Sequence, residues 1–196
     1  MVCWRPMKKP VIILLALATF ILIFASLAIY VFRSVPEKVA LPKSIVTTRL
    51  TDATYVLDGK SVTLKNGLSE TSSATDSAEK VTTRYFGNEV RADLDGDGRE
   101  DAAFILTQDA GGSGTFFYVV AVLNTAAGTR GSQGFFLGDR IAPQTTELGQ
   151  GNVIIVNYAD RKPGEGFTIS PSVGQSRWLK LDTQTMQFQD VSLGAH

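Results

Sequence analysis

Hydrophobic and polar positions divide the chain into two kinds of pattern. From Val11 to Phe32 the run is apolar, with Thr19 and Ser26 as the only interruptions and no charged residue. At about 1.5 Å per residue it would make a helix about 33 Å long, against a hydrocarbon core about 30 Å thick. Beyond it the period changes to two. Thr54–Leu57 and Lys60–Leu64 alternate on either side of Asp58-Gly59, a pair that supplies the two positive φ angles of a type I′ hairpin turn. Further strands are expected at Val81–Phe86, Glu89–Ala92, Ala102–Thr107, Thr115–Asn124, Gln133–Leu137, Asn152–Tyr158, Arg177–Leu181 and Met186–Val191. The stretch from Thr115 to Leu123 is apolar without alternation, as in a central strand covered on both faces. Glu70–Ala78 is polar and aperiodic and reads as a surface loop.

These patterns predict a mainly β protein. One N-terminal transmembrane helix would be followed by a single antiparallel β domain, as a meander, sandwich or partly closed barrel. The divisions are a tail over 1–10, a membrane span over 11–32, a Pro-containing linker over 33–50 and the β domain over 51–196. The apolar run is longer than the about 7–15 residues of a signal-peptide core, so an uncleaved signal anchor is expected. Arg5, Lys8 and Lys9 before the span are matched by Arg33, Lys38 and Lys43 after it, so the positive charges do not fix its direction. The short basic leader and the long C-terminal region place the N-terminus in the cytoplasm and the β domain outside the cell membrane. The lipid bilayer is then the partner of residues 11–32.

Charge and composition narrow the chemistry. The whole chain balances 19 basic against 19 acidic residues, but Arg5, Lys8 and Lys9 precede the span and every acidic residue follows it. Residues 33–196 therefore carry a net charge of −3, which argues against nucleic acid as a partner. Cys3 is the only cysteine and His196 the only histidine. An intramolecular disulfide, a His/Cys zinc site and a Ser-His-Asp triad are excluded together. Gly111–Thr115 accordingly reads as a hairpin loop and not as a nucleophile turn. Gly149-Gln150-Gly151 lacks the third glycine of a dinucleotide fingerprint.

The sharpest feature is the run Asp93-Leu94-Asp95-Gly96-Asp97-Gly98-Arg99-Glu100-Asp101. Its aspartates stand at loop positions 1, 3, 5 and 9, with glycine at position 6 where a calcium loop turns sharply. The expected ligands are Asp93, Asp95, Asp97, the backbone carbonyl of Arg99, and Asp101, around Ca2+. Phe104 stands where an EF-hand would carry its bidentate glutamate, and a strand follows in place of a helix. The loop resembles the D-x-D-G-D-G-x-x-D calcium loops of integrin alpha-chain (FG-GAP) repeats.

A second candidate is a pair of Asp-Arg steps, Asp139-Arg140 and Asp160-Arg161, each followed by a proline and a glutamate, Glu147 and Glu165. Asp139, Arg140, Tyr158, Asp160 and Arg161 are candidates to line a polar ligand groove. Carboxylates on the 139–147 and 160–165 loops would also suit a carbohydrate-active hydrolase if they faced each other at about 5–9 Å. Local ion pairs that shape exposed loops are the simpler reading of both steps.

YFGNE at Tyr85–Glu89, the aspartate loop, GGSGTFFYVVA at Gly111–Ala121, LGDRIAPQTTE at Leu137–Glu147 and NYADRKPGEG at Asn157–Gly166 together resemble a family of uncharacterised bacterial membrane-anchored envelope proteins. The resemblance runs over about residues 52–182. It implies an extracytoplasmic place and carries over no catalytic residue. The expected function is a binding or structural role in the cell envelope, with an envelope glycan or protein as partner, and the hydrolase as the alternative.

Overall fold

The computed structural model describes residues 51–72 and 80–191. The tail, membrane span and linker expected over 1–50 lie outside these residues, as do the centre of the expected polar loop and the extreme C-terminus. Among the described residues no helix is long and apolar enough to cross a membrane.

Among the described residues twelve strands form three antiparallel sheets. The hairpin β1 (Thr54–Leu57) and β2 (Lys60–Thr63) is a sheet of its own. Asp58 and Gly59 between them have φ of 48° and 77°, the left-handed pair that a type I′ turn requires. The largest sheet contains β3 (Leu68–Ser72), β4 (Lys80–Ala92), β5 (Asp101–Asp109), β6 (Phe116–Thr125) and β7 (Gly128–Gly131), in that order. β8 (Phe135–Asp139) pairs with the other end of β6. The third sheet has the order β12 (Gln187–Asp190), β11 (Val173–Asp182), β10 (Val153–Asp160), β9 (Ala142–Leu148), with a 3-10 turn at Gln150–Asn152 before β10.

β5 and β6 explain the layering. Their central residues are buried on both faces, and alternate positions enter different cores. Ala103, Ile105, Val119 and Ala121 pack with Ile154, Val156, Leu179 and Leu181 of the third sheet. Ala102, Phe104, Leu106, Val120 and Val122 pack with Tyr55, Leu57, Val62 and Leu64 from the hairpin side. The large sheet is thus the middle layer, which accounts for the unbroken apolar run of β6. Backbone bonds tie the hairpin down as well. Val56 donates to the Ser132 carbonyl (3.1 Å), and Gly134 donates to that of Val56 (2.8 Å).

Three expectations change in detail. Val81–Phe86 and Glu89–Ala92 belong to the single strand β4, which is bulged at Gly87 and Asn88, with φ of 116° and 51°. The polar stretch expected to loop from Glu70 is still strand to Ser72, because it pairs with β4. β7 and β9 are strands where the sequence pattern marked none.

Candidate metal centre

The aspartate loop joins β4 to β5 in the middle sheet, and its shape follows from glycine and short carboxylates. Gly96 and Gly98 have φ of 81° and 84°, a conformation that costs other L-residues about 1 kcal/mol or more. Turning at these points aims successive amide protons inward. Asp93 gathers them: one carboxylate oxygen accepts from the amides of Gly96 (2.7 Å) and Asp97 (3.1 Å), the other from Gly98 (2.9 Å). Asp95 accepts from Asp97 N–H at 3.1 Å.

Asp101 closes the loop from the first position of β5. Its side chain is buried, the residue only 2% exposed, and it accepts from Leu94 N–H (2.9 Å) within the loop and from Asn124 N–H (2.7 Å) on β6. Burial pushes its pKa up, the two backbone bonds oppose this, and the charges of Asp95 and Asp97 add to the rise. The loop is also held from the opposite sheet: the Asn152 side-chain amide donates to the Asp93 carbonyl at 2.8 Å.

Asp93, Asp95 and Asp101 each place a carboxylate oxygen within 4.8 Å of the others, a group able to hold a metal ion. One cation with bonds of about 2.4 Å reaches oxygens spaced in this way. The donor set fits a hard cation, since all ligands are carboxylate oxygens and the buried Asp101 has backbone amides but no basic side chain among its hydrogen-bond partners. Asp97, also expected as a ligand, is not one of this group. The Asp97 carboxylate forms an ion pair with the Arg99 guanidinium and also accepts from Arg99 N–H at 2.8 Å. The Arg99 side chain is exposed and pairs within its own loop. Asn152 was not legible as a site residue, because it lies 59 positions from Asp93 with no local motif to mark it.

The two Asp-Arg steps are brought together, although they stand on different sheets. Arg140, at a left-handed φ of 51°, makes two bonds to Asp139 (Nε–Oδ1 3.1 Å and Nη2–Oδ2 2.8 Å). Asp139 also accepts from Thr115 N–H at 2.9 Å. Arg161 donates to the Arg140 carbonyl at 2.9 Å, and its amide is bonded to Asp160 at 2.7 Å. Both guanidinium groups lie near the Phe167 ring, that of Arg140 3.5 Å and that of Arg161 5.4 Å from its centre. Tyr158 does not join them at the surface: it is 2% exposed and packs in the core between the sheets. Glu147 bonds Thr145 on its own strand at 2.8 Å, and Glu165 accepts from Lys162 N–H at 2.9 Å.

No family model matches the chain, and no curated protein or solved structure is similar enough to match it.

Proposed function

We propose that this chain is a single-pass membrane protein whose extracytoplasmic β domain binds calcium and has a binding or structural role in the cell envelope. The observation that carries the calcium reading is the convergence of Asp93, Asp95 and Asp101 at the β4–β5 connection. Three carboxylates at this spacing repel one another, and burial already disfavours the charged form of Asp101. A divalent cation removes both penalties. Calcium suits the site better than magnesium because it accepts irregular all-oxygen shells with several carboxylates, whereas magnesium holds to an octahedron and retains water. Asp97 and the Arg99 carbonyl are the next donors along the loop.

The ion's role is structural. Asp101 begins β5, one of the two strands that belong to both cores, and Asn152 joins the loop to the turn that leads into β10. An ion at this junction fixes the connection on which the middle layer is built. Extracellular calcium modules bind with Kd of about 10⁻⁴–10⁻³ M, and at tenfold saturation such binding stabilises a fold by about 1.4 kcal/mol. The membrane span and outward placement rest on the apolar run over 11–32 and the basic leader.

Thermal melting of the full-length chain in detergent, with calcium and with chelator, tests the reading. Calcium is expected to raise the Tm by a few degrees, and Asp95→Ala is expected to abolish that rise. Identical melting curves of the wild-type chain in calcium and in chelator would refute it.

A further inference from the structure

A cleft of about 370 Å3 opens beside the β1–β2 turn, lined by Asp58, Gln108, Ala110, Phe116, Tyr118 and Phe136. It shares no residue with the aspartate loop or with the two Asp-Arg steps. Its walls are built by register. Phe116 and Tyr118 are two apart on β6 and project from one face, and Tyr118 is paired with Phe136 on β8. The Phe136 ring centre lies 6.3 Å from that of Phe116 and 5.4 Å from that of Tyr118, so Phe136 and the partly buried Phe116 form the open aromatic wall, backed by Tyr118, which is only 2% exposed.

The polar side of the cleft is fixed as firmly. The Tyr118 hydroxyl donates to Asp58 Oδ2 at 2.6 Å, holding the turn carboxylate against the aromatic wall. The Gln108 amide donates to Thr83 at 3.1 Å. Gly114 lies so close to Phe116 that a Cβ there would come within 2.9 Å of the ring, so the glycine-rich loop rests directly on the wall. Phe136 remains 50% exposed, a large ring that folding alone does not cover.

What this lining offers a ligand has one electrostatic sign. It holds one carboxylate, one amide and the electron-rich rings of Phe116 and Phe136 backed by Tyr118, and no lysine or arginine is among the lining residues. The Tyr118 hydroxyl already donates its hydrogen bond to Asp58, and burial followed by that bond pushes the phenol pKa well up, so the hydroxyl stays neutral. An anion would meet Asp58 with no counter-charge. A neutral sugar would use the hydrogen-bond acceptors but gain nothing from the charge. The geometry points to an organic cation as the ligand: the alkylammonium group of a small molecule, seated on Phe136 and Phe116, with Tyr118 behind them, beside Asp58. Attraction of a cation to ring faces and to a fixed carboxylate are the two forces that such a lining supplies.

The test compares choline with its uncharged carbon isostere, 3,3-dimethylbutan-1-ol, and with methyl glucoside, by NMR titration of the full-length chain in non-ionic detergent. Choline is expected to give saturable shifts and to bind at least about fivefold more tightly than the isostere. Asp58→Asn removes the charge but keeps an acceptor for Tyr118 and a residue that tolerates the left-handed turn, so the fold is retained. That substitution is expected to weaken choline binding about fivefold or more, and Phe136→Ala to weaken it about two- to fivefold. Equal binding of choline and isostere, a preference for the glucoside, choline binding indifferent to both substitutions, or no saturable binding would each overturn the inference. No result of this titration bears on the calcium reading, because the two sites share no residue.

Discussion

Two aspartates at strand ends show how the same side chain is put to opposite uses. Asp101 is buried, and its pKa rises because desolvation outweighs the two amides it accepts from. Asp182 ends β11 in the open, where the amides of Gln184 (2.9 Å) and Thr185 (3.2 Å) donate to it and lower its pKa. The turn that it stabilises does more than reverse the chain. Arg130 of β7 donates to the carbonyls of Thr183 (3.1 Å) and Gln184 (2.7 Å), and the buried Met186 accepts from Gln133 N–H at 2.8 Å. A depressed acid contributes stability that is complete above its unfolded pKa, near 3.8, and is lost as pH falls through the lower folded value. Asp182→Asn should therefore lower the Tm at neutral pH. The gap to wild type should narrow once the pH drops below about 3.8, as melting curves at successive pH values would record. A gap that stayed constant into strong acid would show that the carboxylate charge plays no part in holding this turn.

At the scale of the elements, glycine sets how closely the layers approach. A Cβ on Gly131 of β7 would lie 2.1 Å from the Thr54 carbonyl oxygen and 2.8 Å from the Tyr55 ring. The nearer neighbour is backbone and the ring is fully buried in the core, so the clash is not relieved by a side chain swinging into solvent. Gly131→Ala is expected to destabilise the fold by about 3 kcal/mol, the upper end for overpacking. Gly112→Ala, where a Cβ would meet nothing within 4 Å, should stay within about 0.5 kcal/mol of wild type in urea denaturation. Comparable losses at the two positions would mean that the approach of β7 to β1 is not limiting.

The same elements show what a linear reading captures. The β1–β2 hairpin, β5 and β6 announce themselves because a turn pair or an apolar run encodes them locally. β3, β7 and β9 do not, since each is an edge strand or pairs at an end of the middle sheet, and its polar side chains have no core to alternate toward. Pro143 in β9 even argues against a strand, and it is tolerated because β9 is the outermost strand of its sheet. Asp93, Asp95 and Asp101 were readable because calcium-type spacing is a local code. Asn152, Phe167 and the cleft around Asp58 were not, because the pairings that place them span tens of residues.

For the whole molecule, the consequential feature is that β5 and β6 each serve two cores. Phe104 is fully buried on the hairpin side, with its ring 5.8 Å from that of Tyr55 and 5.1 Å from that of Tyr85. Its neighbour Ile105 faces the third sheet. The hairpin cannot separate without exposing one face of β5, and β5 cannot adjust on that face without disturbing the other. The two cores should then unfold together, despite having no residue in common. Phe104→Ala leaves a large cavity on one side only and should cost about 3–5 kcal/mol. If the layers are coupled through β5, amide exchange should quicken by the same factor at Val56 in the hairpin and at Leu179 in the third sheet, with one transition in urea. Faster exchange confined to the hairpin would show a separable layer, and the calcium proposed for the start of β5 would then stabilise the other two sheets without protecting β1 and β2.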